Sequence, residues 1–301
     1  MLEPRRPHSH CTIRRLEHFI RGVQSVWSYG ADCLLAPDTV FHRTAPTLVD
    51  DHKMPTASTV LATATVILVH GAWADGSSWN KVISRLQHKG AEVVAVQNPL
   101  TSLDDDVAAV DRAIKAAKGS VILVGHSWGG VVITQAGVAP KVKGMVYVAA
   151  FAPDPGQSVN DLGNGAPPTP GLKEVVADAA GFLKITPKGI EEDFAQDLPR
   201  SEAAVLAATQ GPTAARAFDD KVVKAAWHDK PTWYIVSKQD RMIAPADEPA
   251  MAHAIGAHTL EVDASHVSIL SKPDAVTSVI LEAIEATSDK AASDVKSRAV
   301  H

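Results

Sequence analysis

From Thr65 onward, short apolar runs alternate with segments whose apolar residues recur every three or four positions. The runs Val66–His70, Val93–Val96, Val142–Ala150, Trp233–Ser237 and Thr259–Val262 predict strands. Within Ser78–Lys89, Trp79, Val82, Ile83 and Leu86 fall at helical spacing. Leu103–Ala117 predicts another helix, opened by Asp104, Asp105 and Asp106, whose charge suits a helix N-terminus. Asp247–Ile255 and Pro273–Ala286 predict two more, and a further strand and helix flank Ser127. The strand runs are continuously apolar rather than alternating. Strands covered on both faces have that character, so the pattern predicts an α/β fold: a mostly parallel central sheet flanked by helices.

The alternation breaks between Pro153 and about Ala226. A Pro/Gly-rich stretch, Pro153–Gly171, leads into helical fragments near Leu172–Ala180, Ile190–Gln196, Glu202–Thr209 and Thr213–Val223. We read 153–226 as a small helical cap inserted over the C-terminal edge of the sheet, within an α/β domain at 61–287. Residues 288–301 form a polar tail. Residues 1–60 mix Arg, His and Pro without a sustained period and are read as a disordered or loosely attached extension. They lack the apolar core of a secretory signal, and Glu3, Glu17, Asp32 and Asp38 count against a transit peptide. Met54 stands just before the regular pattern, which suggests that translation starts there.

At 301 residues, with 46% hydrophobic and 21% charged residues, the chain has material for one large or two small domains with a sizeable core. A net charge of −5 offers no basic surplus for nucleic acid. No apolar stretch reaches the ~18 residues of a membrane span. With no signal recognised either, a cytoplasmic location is expected. Cys11 and Cys33 leave a mutual disulfide open, but both lie in the extension, so the body has neither a cysteine nucleophile nor a cysteine-based zinc site. No His-Glu-x-x-His occurs, and the cluster His8-Ser9-His10-Cys11 reads as adventitious for metal. No cofactor and no metal are expected, and oligomeric state is not legible.

The chemistry concentrates in VILVGHSWGGVVITQAG, Val121–Gly137. A β-branched run ends at Gly125, Ser127 follows, then Gly129, Gly130 and a helical pattern. Gly-x-Ser-x-Gly between strand and helix lifts a serine hydroxyl out of a sharp turn, with small residues where the two backbones approach. A serine at a helix start can also serve as a cap. As a nucleophile it needs a base to take its proton, usually a histidine held by a carboxylate. Ligands of such sheets bind beyond the C-terminal strand ends, so partners belong just after strands. Asp240, in SKQDRMIAP, and His266, in DASHVSIL, have that placement; Asp154 and Asp263 are rival acids. His126 adjoins Ser127, with its side chain expected to point away from the hydroxyl. Two donors are needed for the developing oxyanion. The backbone N–H of Trp128 is one candidate, and that of Ala72, after the turn at Gly71 in HGAWADGSSW, is the other. Gly71, Trp73, Trp128, Phe182, Leu183, Phe194 and Leu198 are candidates for lining a substrate pocket, with plain core packing as the competing role.

These segments together resemble the α/β-hydrolase superfamily over about residues 65–287. HGAWADGSSW, VGHSWGG, YVAAFAPD, SKQDRMIAP and ASHVSIL are similar to the compact branch of plant methylesterases, hydroxynitrile lyases and small bacterial esterases. The resemblance implies an α/β-hydrolase fold. It implies nucleophile, acid and base at Ser127, Asp240 and His266, and oxyanion donors at Ala72 and Trp128. Hydroxynitrile lyases of this branch carry threonine where this chain has Gly71, and lysine where it has Val267. Those departures turn the expectation from cyanide elimination to hydrolysis of small carboxylic esters through an acyl-enzyme, losing rate at acid pH as His266 protonates. Ser127 also argues against haloalkane dehalogenases, whose nucleophile is aspartate. The competing readings are a lyase-like C–C cleavage and a receptor-like relative that binds ligand with little turnover.

Overall fold

A computed structural model describes residues 64–163, 167–244 and 246–298, with the backbone alone from residue 289. The extension, the suggested start at Met54, both cysteines and the early histidine cluster lie outside the described residues. Strands β1 (Ala64–Val69), β2 (Glu92–Val96), β3 (Ser120–His126), β4 (Val142–Val148), β8 (Thr232–Ser237) and β9 (His258–Val262) make one parallel sheet, in the order β2-β1-β3-β4-β8-β9. The central four are continuously apolar and buried along nearly their whole length. The runs at Val93–Val96 and Thr259–Val262 fall on edge strands and are not covered on both faces as predicted: β2 is partly exposed and β9 almost wholly so. An edge strand needs only one apolar neighbour, and Glu92 and Glu261 face solvent accordingly.

Helix α1 (Asn80–His88) packs with the long C-terminal helix α7 (Pro273–Arg298). Helix α2 (Leu103–Ala116) packs with α3 (Trp128–Ala136), and each pair also contacts the central strands. Ser102 caps α2 by accepting the Asp105 N–H, so the helix starts where its acidic turn predicts. Trp79, Trp128, Trp233, Tyr147, Tyr234 and Phe194 are the bulkiest fully buried side chains of the core. The polar reading after Ala286 does not end the last helix, which runs on to Arg298. Polar residues need not end a helix: the Ala, Lys and Arg that recur there are good helix formers.

The segment between β4 and β8 is helical only in part, and a small antiparallel sheet takes the place of some of the helical fragments the pattern predicts. The stretch 172–180 is a single 3₁₀ turn, Gly171–Glu174, followed by strand β5 (Val175–Ala177). Strand β6 (Phe182–Ile185) and strand β7 (Thr213–Ala214) complete a three-stranded antiparallel sheet, β5-β6-β7. The stretch 190–196 is one π turn, Ile190–Phe194, and 213–223 holds β7 and a 3₁₀ turn. The fragment at Glu202–Thr209 does form a helix, α5 (Arg200–Thr209), which follows a short helical turn, α4 (Val159–Leu162). The β5–β6 hairpin had a turn signal: Asp178 Oδ1 accepts the N–H groups of Ala180 and Phe182, and Gly181 has φ of 80°. Strands of two to four residues are too short for any period to register.

Candidate active site

β3 delivers the chain into the turn at Ser127, which has φ 53° and ψ −121°. A side-chain-bearing residue in that region is strained by roughly 1–3 kcal/mol and stays there only when its surroundings hold it. Here the Ser127 N–H donates to Val148 O (3.2 Å), while its carbonyl accepts from Gly130 N–H (2.9 Å) and Phe151 N–H (3.3 Å). The flanking glycines have a steric cause. A Cβ at Gly125 would sit 2.5 Å from Gly129 O, and one at Gly129 would sit 2.3 Å from Val69 O. Trp128 opens α3, so its N–H has no carbonyl a turn earlier to donate to.

The loops after β8 and β9 bring Asp240 and His266 together, both buried. The carboxylate Oδ2 of Asp240 accepts from His266 Nδ1 at 2.5 Å, which puts the proton on Nδ1 and leaves Nε2 free to accept one. The other oxygen of Asp240 takes the backbone N–H groups of Met242 (2.6 Å) and Ile243 (3.0 Å). Burial opposes the Asp240 charge. The charge and hydrogen bond of His266, with the nearby Glu248 carboxyl and the Ile243 N–H, outweigh it and hold the carboxyl below its ordinary value. The rival acids are engaged elsewhere: Asp154 pairs with His228 (2.8 Å) and Asp263 with Lys238 (3.0 Å), all at exposed positions.

His126 turns away from the Ser127 hydroxyl and donates from Nε2 to the carbonyl of His266 at 2.8 Å. Burial, then the charge of His266, lowers it to about 3, so it stays neutral. Phe194 packs against the other side of His266, ring centres 5.2 Å apart. The backbone of the catalytic-loop candidate is thus fixed by one ring and its imidazole face by another.

The loop after β1 is held from both sides. His70 Nδ1 donates to Gly71 O (2.8 Å) and Nε2 accepts from Asn98 N–H (2.9 Å), a neutral form that burial favours. Trp73, at φ 58°, donates its backbone N–H to Thr213 Oγ1 (3.2 Å) and its indole N–H to Leu183 O (3.1 Å). Both acceptors belong to the small antiparallel sheet. Gly71 packs beneath the serine, where a Cβ would come within 2.8 Å of Ser127 Cβ. A threonine there would therefore displace the elbow in this chain.

Ser127 and His266 open on one cavity of about 360 Å³. Trp73, Phe151, Leu172, Leu183, Phe218 and Ile243 supply much of its apolar wall, and Ala72 also borders it. Of the sequence-nominated pocket residues, Trp73 and Leu183 lie on this wall. Phe194 stands behind His266, Gly71 lies under Ser127, and Phe182 and Leu198 are half-buried off the wall. The indole of Trp128 is also one layer back. It meets the cavity residue Phe218 edge-on at 5.5 Å and donates to Asp106 Oδ2 at 2.7 Å. The other oxygen of Asp106 accepts the N–H of Leu100, whose φ is 58°. Burial pushes Asp106 up to about 6, against the pull of those two bonds. Asp106, Thr213, Phe218 and Glu248 were not singled out from sequence for the site. Their importance comes from partners distant along the chain, and a residue type alone does not signal that.

Among the described residues, no group of three or more His, Cys, Asp or Glu side chains is placed to hold a metal ion. No described helix is long and apolar enough to cross a membrane.

Residues 66–279 match the model of the alpha/beta hydrolase family, and the chain belongs to that family. Among curated proteins it is 25% identical over 245 residues to a probable hydrolase of Phoma sp., covering 72% of this chain and 96% of that protein. A shorter match, 34% identical over 113 residues, covers 33% of this chain and 47% of a carbendazim hydrolyzing esterase of Nocardioides sp.. Among solved structures, a pyrethroid hydrolase from Sphingobium faniae has the same fold. Its TM-score is 0.64 at 21% identity, over 75% of this chain and 99% of that one.

Proposed function

We propose that this chain is a serine hydrolase of small carboxylic esters, a member of the methylesterase-like branch of its family. The observation that carries the reading is the buried His266–Asp240 bond at the cavity into which the strained Ser127 opens. His266 Nε2 takes the Ser127 proton as Oγ attacks the ester carbonyl. The N–H groups of Ala72 and Trp128 receive the negative charge that develops on oxygen. As the tetrahedral centre collapses, the carbon–oxygen bond to the alcohol breaks and His266 returns the proton to the leaving oxygen. Water, deprotonated by His266, then attacks the acyl-serine, which releases the acid and restores Ser127. Asp240 keeps the proton on Nδ1 and stabilises the imidazolium formed in both halves. A cavity of about 360 Å³ with mostly apolar walls suits a compact acyl or alcohol group. The esterase and hydrolase names of the relatives support the same reaction class. Cyanide elimination is disfavoured because Val267, buried, stands next to His266 where a cation would be required.

A fluorophosphonate probe on the wild type and Ser127→Ala, beside a panel of aryl, methyl and lactone esters, tests this. The wild type is expected to label and to hydrolyse at least one ester. Ser127→Ala is expected to do neither, with activity down by about 10⁴-fold or more. Labelling without turnover of any ester would move the chain to a ligand-binding relative. Labelling that survives in Ser127→Ala would remove the nucleophile assignment.

A further inference from the structure

A second carboxyl lies behind the candidate acid. Glu248, in helix α6 (Asp247–Ala254), is 1% exposed, and Asp240 is 2% exposed. The two carboxyl groups are close enough for each to shift the ionisation of the other. Its Oε2 accepts the backbone N–H of Ser237, the last residue of β8, at 2.9 Å. Its Oε1 is buried with no hydrogen-bond partner. Two neighbouring carboxylates repel strongly in a dry site, and an ionised Oε1 would be a buried acceptor without a donor. The proton has an obvious place. Asp240 already takes three donors, from His266, Met242 and Ile243, and is committed to the charged form. Glu248 has one donor and one empty oxygen.

We propose that Glu248 is a positioning residue, kept as the neutral acid, that donates a hydrogen bond from Oε1 to the Asp240 carboxylate while Oε2 anchors it to the end of β8. The proposal rests on the esterase reading, since Asp240 matters to catalysis only through His266. Burial, and then the Asp240 charge, raises Glu248 well above an ordinary glutamate, consistent with the neutral form. The titratable groups facing it are Asp240 and Tyr234 of β8, with His266 and His126 beyond Asp240. Of these only the two histidines can be cationic, and His126 is kept neutral by burial. The donated bond has two effects. It fixes the rotation of the Asp240 carboxylate so that Oδ2 meets His266 Nδ1. It also spreads the carboxylate charge, which limits how strongly Asp240 holds the imidazolium between the two proton transfers.

Glu248→Gln and Glu248→Leu separate this role from simple packing. The glutamine can accept from Ser237 N–H and donate to Asp240 at once, so its kcat and its acid limb are expected to stay close to wild type. Leucine keeps the volume and loses both bonds. Its kcat on p-nitrophenyl acetate is expected to fall about tenfold or more with little change in KM, and its acid limb to move to higher pH. Difference infrared spectra at about pH 8 give a readout independent of activity. The wild type should show a protonated-carboxyl band that is missing from Glu248→Gln. A leucine variant with wild-type kcat and acid limb would overturn the proposal. So would a wild type lacking the band, or a glutamine variant whose acid limb drops as though an anion had been removed. If Glu248→Leu does not fold, the glutamine profile and the infrared band decide. Wild-type enzyme that hydrolyses no ester would fail the esterase reading instead, and the band would still report on the proton.

Discussion

The central sheet and the antiparallel cap both build walls of one cavity, but they are held by different means. β1, β3, β4 and β8 are buried runs of Val, Ile and Leu, paired along their length. Their neighbours approach so closely that Gly125 and Gly129 leave no room for a methyl group. The cap strands are two to four residues long and only partly buried, and side chains finish what strands would otherwise do. Gln210 supplies a carboxamide to both the N–H and the carbonyl of Ile185, each at 2.9 Å. Thr213 and Leu183 hold Trp73 in the loop beside Ala72. Close backbone packing places the nucleophile candidate, whereas a few side-chain bonds place one of the oxyanion donor candidates. The first region is expected to fail by unfolding and the second by losing rate.

Gly129→Ala tests the first region with the largest expected effect. Its Cβ would press on Val69 O at 2.3 Å, a backbone atom at the C-terminal end of the inner strand β1. Chemical denaturation should show a loss of about 3 kcal/mol or more, or no folded protein. A variant with normal stability would mean that the helix can lift off the strand, contrary to the tight elbow.

Asp106→Asn tests the junction between the regions. One of the N–H groups of Leu100 and Trp128 would face an amide NH₂, at a cost of about 1–3 kcal/mol. The sign with pH follows from the raised value. The folded state holds the Asp106 proton up to about 6, whereas an ordinary aspartate releases it near 3.8. Asp106 therefore contributes stability that is fully present below about pH 4 and is lost as pH rises through 6, by of order 3 kcal/mol. The deficit of Asp106→Asn should be widest at acid pH and shrink toward neutrality in urea melts. A deficit that grew with pH would show the carboxylate, not the acid, to be the stable buried form.

Thr213→Val has the smallest expected effect on stability, about 1 kcal/mol, because one hydrogen bond is lost without a change in volume. Its effect on rate should be larger in proportion. Trp73 sits at φ 58° next to Ala72, and relaxation of that turn would shift the proposed oxyanion donor. On the esterase reading, kcat should fall by up to ~100-fold with the melting temperature nearly unchanged. Equal losses in both quantities would erase the contrast between the two regions.

The sequence by itself determined the elements whose cause is local. Continuous β-branched runs specify doubly covered strands, Gly125-x-Ser127-x-Gly129 specifies the elbow, and Ser102 with three aspartates specifies where a helix begins. It also nominated Asp240 and His266, because loops after buried strands converge on one edge of a parallel sheet. Tertiary structure alone decided what depends on distant neighbours. Phe182–Ile185 becomes a strand because Val175–Ala177 and Thr213–Ala214 pair with it. Trp128 is a supporting ring rather than a wall because Phe218 stands in front of it. Asp106 and Glu248 read as ordinary helix-start acids, and their protonation is set by burial and by partners that the chain brings in from elsewhere. Hydrophobic period is a property of neighbours along the chain, whereas desolvation sums over neighbours in space, and only the fold assembles those.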